Sequence, residues 1–270
     1  MKHAYRKPYR VKRRKSIFKS RFFWLGLLVF IFIAALFYTL FFFEAFQVKQ
    51  ITIAGTGRVS AEELRDAVEN KLENEILFLK TKSIFLISSQ KIKEDILSKF
   101  PQIAKVEIKR TSPDTLSVWV AERAELVSWW QKDTCFLLDG EGIIFEKCPS
   151  ETSLTKLLDQ KNTTPLNLGE KVIEKEYLEK ILETHRRLTN ELKIEVEEMA
   201  VFSNEFDAKT PEGWKIYLSP EEDLDWQLTK LSQVIEKEIP PERRKDLDYI
   251  ELRFGNFAPY KYKEAESIID

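Results

Sequence analysis

Twenty-two consecutive residues without a charge, Phe22 to Phe43 (FFWLGLLVFIFIAALFYTLFFF), constrain this chain more than any other feature. At ~1.5 Å per residue a helix of that length spans roughly 30 Å, one bilayer core. Trp24 and Tyr38 lie toward its two ends, where an aromatic belt would sit. The competing assignment is a cleaved signal peptide. Its apolar core would run only ~7–15 residues and end at a small-x-small site, and neither is seen. The stretch reads as a transmembrane helix.

Charge sets the orientation. Residues 1–21 hold ten Lys and Arg and no acid, out of 43 basic and 44 acidic residues in the whole chain. The remainder is therefore acidic by roughly eleven charges. A basic tail on an acidic body suits a nucleic-acid tail or a topology signal. The adjoining apolar span favours topology, because flanking Lys and Arg stay in the cytoplasm. The expectation is a single-pass type II protein of the plasma membrane, N-terminus inside and ectodomain outside, with no nucleic-acid partner.

The ectodomain reads as α+β. FQVKQITIAG (Phe46–Gly55) is strand-like, and its apolar phase slips between Val48 and Ile51, as a bulge would cause. SAEELRDAVENKL opens on a capping box, Ser60 with Glu63, and aligns Leu64, Ala67, Val68 and Leu72. SSQKIKEDILSKF repeats the pattern with Ser89 as cap, and Pro101 stops it. AKVEIKR, with Ala104, Val106 and Ile108 in phase, and TLSVWVAE, with Leu116, Val118 and Val120, flank the turn TSPD. The order β-α-α-β-β predicts two helices on one face of a three-stranded sheet, with Trp119 on the other.

A second α+β domain follows. FLLD-GEG-IIFEK is a hairpin, and Thr152 to Thr164 reads as a long polar loop. Ile173–Leu192 and Leu224–Ile239 are amphipathic helices. KIEVEEMAVFS, FDAKT-PEG-WKIYLS, YIELRF and FAPYKY supply strands. Cys135 and Cys148 flank the first hairpin, outside the membrane, where disulfides persist. A two-residue loop, Glu141-Gly142, makes them cross-strand partners. The three-residue loop Gly140-Glu141-Gly142 sends them to opposite faces, because a one-residue slip reverses side-chain direction. Both a disulfide and two buried thiols stay open.

Enzymatic chemistry is hard to build. His3 lies in the basic tail, and His185 sits beside Arg186 and Arg187 on a helix. One exported histidine and two hairpin cysteines make no triad and no metal set. Eight glycines form no phosphate loop. The acids spread over charged helix faces without selecting the carboxylate pair that glycosidic cleavage needs. No catalytic, metal or cofactor residue is assigned, and function is expected to lie in surfaces.

The anchor, the strand ending at Gly55, SAEEL, FPQIAKVEIKRTSPDTLSVWVAERAELVSWW and FLLDGEGIIF together resemble the FtsQ/DivIB bacterial cell-division family. The resemblance covers nearly the whole chain. Its most specific part looks like the end of that family's POTRA domain, with Arg110, Pro113, Leu116, Glu122 and Arg123 at its usual positions. The proline usual shortly after the Glu-Arg pair is replaced by Ala124 or Glu125. YIELRF is similar to the family's late strand, with Glu251 where Asp is common.

The resemblance implies a basic cytoplasmic tail (1–21), a transmembrane helix (22–43), a POTRA domain (46–123), a mixed α/β domain with an antiparallel sheet (124–262) and a C-terminal tail (263–270). It implies a non-enzymatic divisome protein at the division septum. Such a protein links cytoplasmic-side and outer-side division proteins and helps control septal peptidoglycan synthesis. Its implied partners are small bitopic coiled-coil proteins of the FtsB/FtsL type and other divisome membrane proteins. A POTRA-bearing transport or assembly factor is the alternative, but it would show several POTRA copies or a barrel, and one copy is found. An anchored cell-wall hydrolase is a third class and lacks its acid pair.

The candidate site is the last strand. Pro259 cannot donate to a ladder, and proline inside sheets is nearly confined to edges. FAPYKY is therefore expected at an edge: Phe257, Ala258, Pro259, Tyr260, Lys261 and Tyr262. The strand carrying Ile250, Leu252, Arg253 and Phe254 is its inner neighbour. Edges are often blunted by proline and lysine, which is one reading of Pro259 and Lys261. Strand addition by a partner is the other. With Pro259 facing outward, Phe257 and Lys261 face outward too, while Ala258, Tyr260 and Tyr262 bond inward.

Overall fold

The computed structural model describes residues 21–76 and 78–263. Most of the basic tail and of the C-terminal tail thus lie outside the described residues. The described residues divide into two compact units, one within 21–54, 62–93 and 107–119, the other within 55–61, 94–106 and 120–263.

Helix α1 (Arg21–Phe42) is apolar enough to cross a membrane and buries none of its residues. A 3-10 turn, Glu44–Phe46, leads into strand β1 (Gln50–Ala54), shorter than the ten-residue strand expected. The reason is a change of partner where the apolar phase slips. Val48 N–H bonds to Lys82 O (3.0 Å), whereas Lys49 N–H bonds to Asp114 O (2.9 Å). Helix α2 (Ala61–Glu69) buries Leu64, Ala67 and Val68 as predicted. A small hairpin follows that the sequence reading lacked, β2 (Asn74–Ile76) with β3 (Leu79–Thr81).

Helix α3 (Ser89–Lys99) is capped one residue earlier than expected. The Ser88 hydroxyl, not that of Ser89, accepts from Lys91 N–H (3.3 Å). Strands β4 (Ile103–Thr111) and β5 (Thr115–Glu122) complete a three-stranded sheet of order β1-β5-β4. β1 runs parallel to β5, with Ile53 opposite Val118. Leu116, Val118 and Val120 are buried and Trp119 is 47% exposed, as the alternation required. In β4 Val106 is buried as expected, but its buried companion is Ile103, not Ala104, which is exposed.

The second unit holds a nine-stranded sheet. β6 (Val127–Gln131), β7 (Thr134–Leu138) and β8 (Ile144–Lys147) form an antiparallel meander. β9 (Lys156–Asp159) returns parallel to β6, within the stretch read as a long loop. Leu157 is fully buried there. The Asp159 carboxylate accepts from Trp129 Nε1 (3.2 Å) and from the Lys161 and Asn162 amides (3.0 and 2.8 Å). Four residues among polar neighbours carry too little alternation to be seen in sequence.

Helix α4 (Lys175–Asn190) crosses over to β10 (Glu198–Val201), parallel to β9. β11 (Phe206–Lys209) and β12 (Lys215–Leu218) pair antiparallel. Helix α5 (Leu224–Lys237), capped by the Asp223 carboxylate on Trp226 N–H (2.8 Å), crosses to β13 (Leu247–Glu251), parallel to β12. β14 (Tyr260–Tyr262) ends the fold. The sheet order is β14-β13-β12-β11-β10-β9-β6-β7-β8.

Register aligns Tyr260, Ile250, Ile216, Ala208, Met199, Leu157, Trp129 and Phe136 across one face. Leu178, Ile181 and Leu188 of α4 and Leu228, Leu231 and Ile235 of α5 join these residues in one core.

The β7–β8 hairpin contains both features of the sequence dilemma. Its loop is Gly140–Gly142, with Asp139 N–H bonded to Ile143 O (3.1 Å). Gly142 has φ +80°, and a Cβ there would come within 1.9 Å of Ile173 O. A bulge between Leu137 and Leu138 then shifts the register, so Phe136 faces Lys147. Cys135 and Cys148 are thereby brought opposite each other and are joined in a disulfide, Cα–Cα 5.3 Å.

Candidate partner-binding edge

β14 is the terminal strand of the sheet, at the expected edge, but it spans only Tyr260–Tyr262; Phe257, Ala258 and Pro259 precede the strand instead of belonging to it. Its inner neighbour begins and ends three residues before the Ile250–Phe254 run. Ile250 lies in β13 and Leu252 just past its end, both fully buried, whereas Arg253 and Phe254 follow the strand, Phe254 being 68% exposed.

The ladder phase differs from the outward-proline arrangement. Glu251 N–H donates to Pro259 O (2.8 Å), so the Pro259 carbonyl points inward. In an antiparallel pair the N–H and C=O of one residue share a side and alternate along the strand. Ile250 pairs with Tyr260 and Tyr249 with Lys261. The outward backbone groups in the strand are therefore those of Tyr260. After the shift between Leu247 and Tyr249, Lys263 N–H bonds inward to Asp246 O (2.8 Å), which turns Tyr262 outward as well. The missing proline N–H removes an inner ladder bond and leaves the outer rail of donors intact.

The side chains divide by face. Ala258, Tyr260 and Tyr262 pack partly against the core, and the two tyrosine rings meet edge to face at 5.7 Å. The Arg243 guanidinium lies 4.0 Å over the Tyr262 ring. Pro259 and Lys261 are exposed, and Phe257 is 80% exposed. Between this segment and α5 runs a groove of about 620 Å³, lined by Trp226, Lys230, Val234 and Lys237 on one side and by Phe257 and Tyr260 on the other.

Lys230 is the residue that sequence reasoning missed. Its ammonium is buried under the loop and donates to Leu252 O (2.8 Å), Gly255 O (3.0 Å) and Phe257 O (3.4 Å). Desolvation pushes its pKa down, against the pull of Glu222 and Glu251. On a helical wheel it was one more lysine. Its apolar stem and three carbonyl partners become visible only once the chain folds back.

Arg253 supports the other side of the edge. It donates to Glu251 through Nε (2.8 Å) and to Glu205, and stands 4.9 Å from the Tyr217 ring centre. The Glu251 side-chain bond, opposed by burial, raises its pKa further above its ordinary value. At the far edge of the sheet lies the disulfide hairpin, remote in strand order from β14. His185 is half-buried, and burial lowers its pKa. No group of His, Cys, Asp or Glu among the described residues is arranged to hold a metal.

The motif residues of the first domain have clear structural duties. The Glu122 carboxylate accepts from the backbone N–H groups of Gly57, Arg58 and Val59 at 2.8–3.0 Å. Arg123 donates to Pro101 O (3.0 Å) and to Asp139 (2.5 Å), and Arg110 donates to Ile87 O (2.7 Å).

Residues 46–123 match the family model for the POTRA domain, FtsQ-type. Residues 128–253 match the model for the cell division protein FtsQ/DivIB, C-terminal. The second match ends just before the loop and strand that form the edge. No curated protein matches the chain. Two adjacent family models account for most of the chain after α1, and the chain belongs to the FtsQ/DivIB family of cell-division proteins.

Proposed function

We propose that this cell-division protein is a membrane-anchored connector whose ectodomain takes a partner strand along β14. The observation that carries this reading is the outward rail of β14. It is the last strand of a nine-stranded sheet, with the Tyr260 backbone turned away from β13. An added strand would gain backbone hydrogen bonds there, and the adjoining groove against α5 would read its side chains. The exposed Phe257 and the half-buried Tyr260 and Tyr262 supply aromatic anchors of the kind that dominate interface energies.

The family suggests divisome partners. The finer reading assigns them as small bitopic coiled-coil proteins of the FtsB/FtsL type. The basic tail would remain cytoplasmic, α1 would span the plasma membrane, and the ectodomain would help control septal peptidoglycan synthesis from outside, without catalysis of its own. The experiment is a pull-down of the coiled-coil partners by full-length protein and by a version ending at Asn256, combined with septal imaging of both as fluorescent fusions. Loss of the partners on truncation supports the edge. Full retention moves the interface to the first domain, and failure of the intact protein to reach the septum overturns the connector role.

A further inference from the structure

We propose that the tip of the β2–β3 hairpin is a second membrane contact, seated in the headgroup layer of the outer leaflet beside the end of α1. The proposal rests on the reading of α1 as a bilayer-spanning helix.

Helix ends leave carbonyls without intrahelical partners. In α1 two of these are taken by the end of β3 and the segment that follows it. The Ser83 hydroxyl donates to Leu40 O (2.9 Å), and the Thr81 hydroxyl to Phe41 O (2.5 Å). Gln47 Nε2 also reaches Phe41 O (3.1 Å), while its Oε1 accepts from Lys82 N–H (2.7 Å). Ile84 N–H bonds to Phe46 O (2.9 Å). The base of the hairpin is thus stitched to the point where α1 leaves the bilayer. From Thr81 to Phe78 the chain covers at most roughly 10 Å, at ~3.3 Å per strand residue. The tip cannot lie far from the membrane surface.

The tip is built unlike a turn meant for water. Ile76 pairs with Leu79, and Phe78, next to Leu79, stands at φ +69°. Asn or Gly takes that conformation with the least strain. Here an aromatic takes it and is 93% exposed, next to Leu79 at 55%. Lys80 and Lys82 follow the tip on β3 and are matched by Glu73 (3.2 and 3.8 Å) and by Glu75, the cross-strand partner of Lys80, so the hairpin is neutral overall and its tip is apolar. Phe43 and Phe85, each about half exposed and each in ring contact with Phe46, continue the aromatic surface at the helix exit. An exposed aromatic and apolar tip at a membrane exit suits an interfacial anchor. Together with α1 it would give the first unit two attachments to the bilayer and restrict its rotation about the helix axis.

The test uses the full chain in phospholipid nanodiscs. Both native cysteines are tied in the disulfide, so single spin labels can be placed at Phe78→Cys, at Phe37→Cys inside α1, and at Ala54→Cys at the far end of β1. The collision rate with oxygen relative to a water-soluble nickel chelate reports depth. The Phe78 label should fall between Phe37 and Ala54, several-fold less open to nickel than Ala54. A Phe78 label as open to nickel as Ala54, with Phe37 shielded, overturns the hairpin contact alone. A Phe37 label open to nickel overturns the spanning helix and the proposal with it.

Discussion

The backbone N–H of Glu251 donates to the carbonyl of Pro259 at 2.8 Å, and this bond sets the phase of the whole C-terminal edge. The proline occupies a position whose ladder groups face inward. Tyr260 and Tyr262 therefore keep their outward N–H and C=O groups, and the edge is not blunted where a partner would meet it.

Tyr260→Pro should remove one outward donor, together with a ring that packs partly on the core, and leave the inner ladder alone. The melting temperature of the part after α1 should fall modestly, while affinity for the proposed coiled-coil partner drops on the order of tenfold, about 1.4 kcal/mol. Lys261→Pro, which removes an inward donor from an exposed side chain, should lower the melting temperature through the ladder and spare binding. Calorimetry and binding measured side by side check both. Equal effects of the two variants would mean that the rail is not used.

Lys230→Met keeps the apolar stem and deletes the ammonium that holds the Leu252, Gly255 and Phe257 carbonyls. The expected loss is on the order of 2 kcal/mol, because the bonds are charge-assisted but their acceptors can partly rehydrate. Hydrogen exchange should quicken in residues 252–262 and remain unchanged in α2 and β5.

Glu122 titrates below its ordinary range. Burial raises its pKa, but the Gly57, Arg58 and Val59 amides and the charge of Arg58 together outweigh it. A depressed carboxylate stabilises the fold above the unfolded-state pKa of about 4.5, and that stability is lost as pH falls through the lower folded value. Thermal melts from pH 7 to pH 3 should therefore show a shallower acid decline in Glu122→Gln than in the parent. Glu198 and Glu251, also lowered against burial by Lys156 and Arg253 respectively, will keep part of the decline in both.

The disulfide closes a short loop, with 13 residues of sequence separation. Replacing both Cys135 and Cys148 by serine should cost about 2–3 kcal/mol, mainly by freeing the unfolded chain. Because β8 and β14 lie at opposite ends of the sheet order, binding at β14 by the folded variant should survive. Loss of binding at a temperature where the double variant is still folded would contradict that independence.

The sequence by itself determined the features whose physics is local. An uncharged run of bilayer length, a one-sided charge distribution, helical periodicity in α2, α4 and α5, and period-two alternation in β5 all speak through near neighbours. The edge position of the last strand was legible too, although only Tyr260–Tyr262 of FAPYKY form it and Pro259 precedes it. Tertiary structure decided what depends on partners distant in the chain. β9 is short and polar-flanked, and becomes a strand because β6 and β10 offer ladders on both its sides. A bulge between Leu137 and Leu138 settled the pairing of Cys135 with Cys148. The direction of the Pro259 carbonyl followed from the register against β13, which no alternation within six residues can specify. Lys230 looked like a solvated helix lysine until the loop from Leu252 to Phe257 folded over it, because a hydrogen-bond partner 22 to 27 residues away leaves no periodic mark.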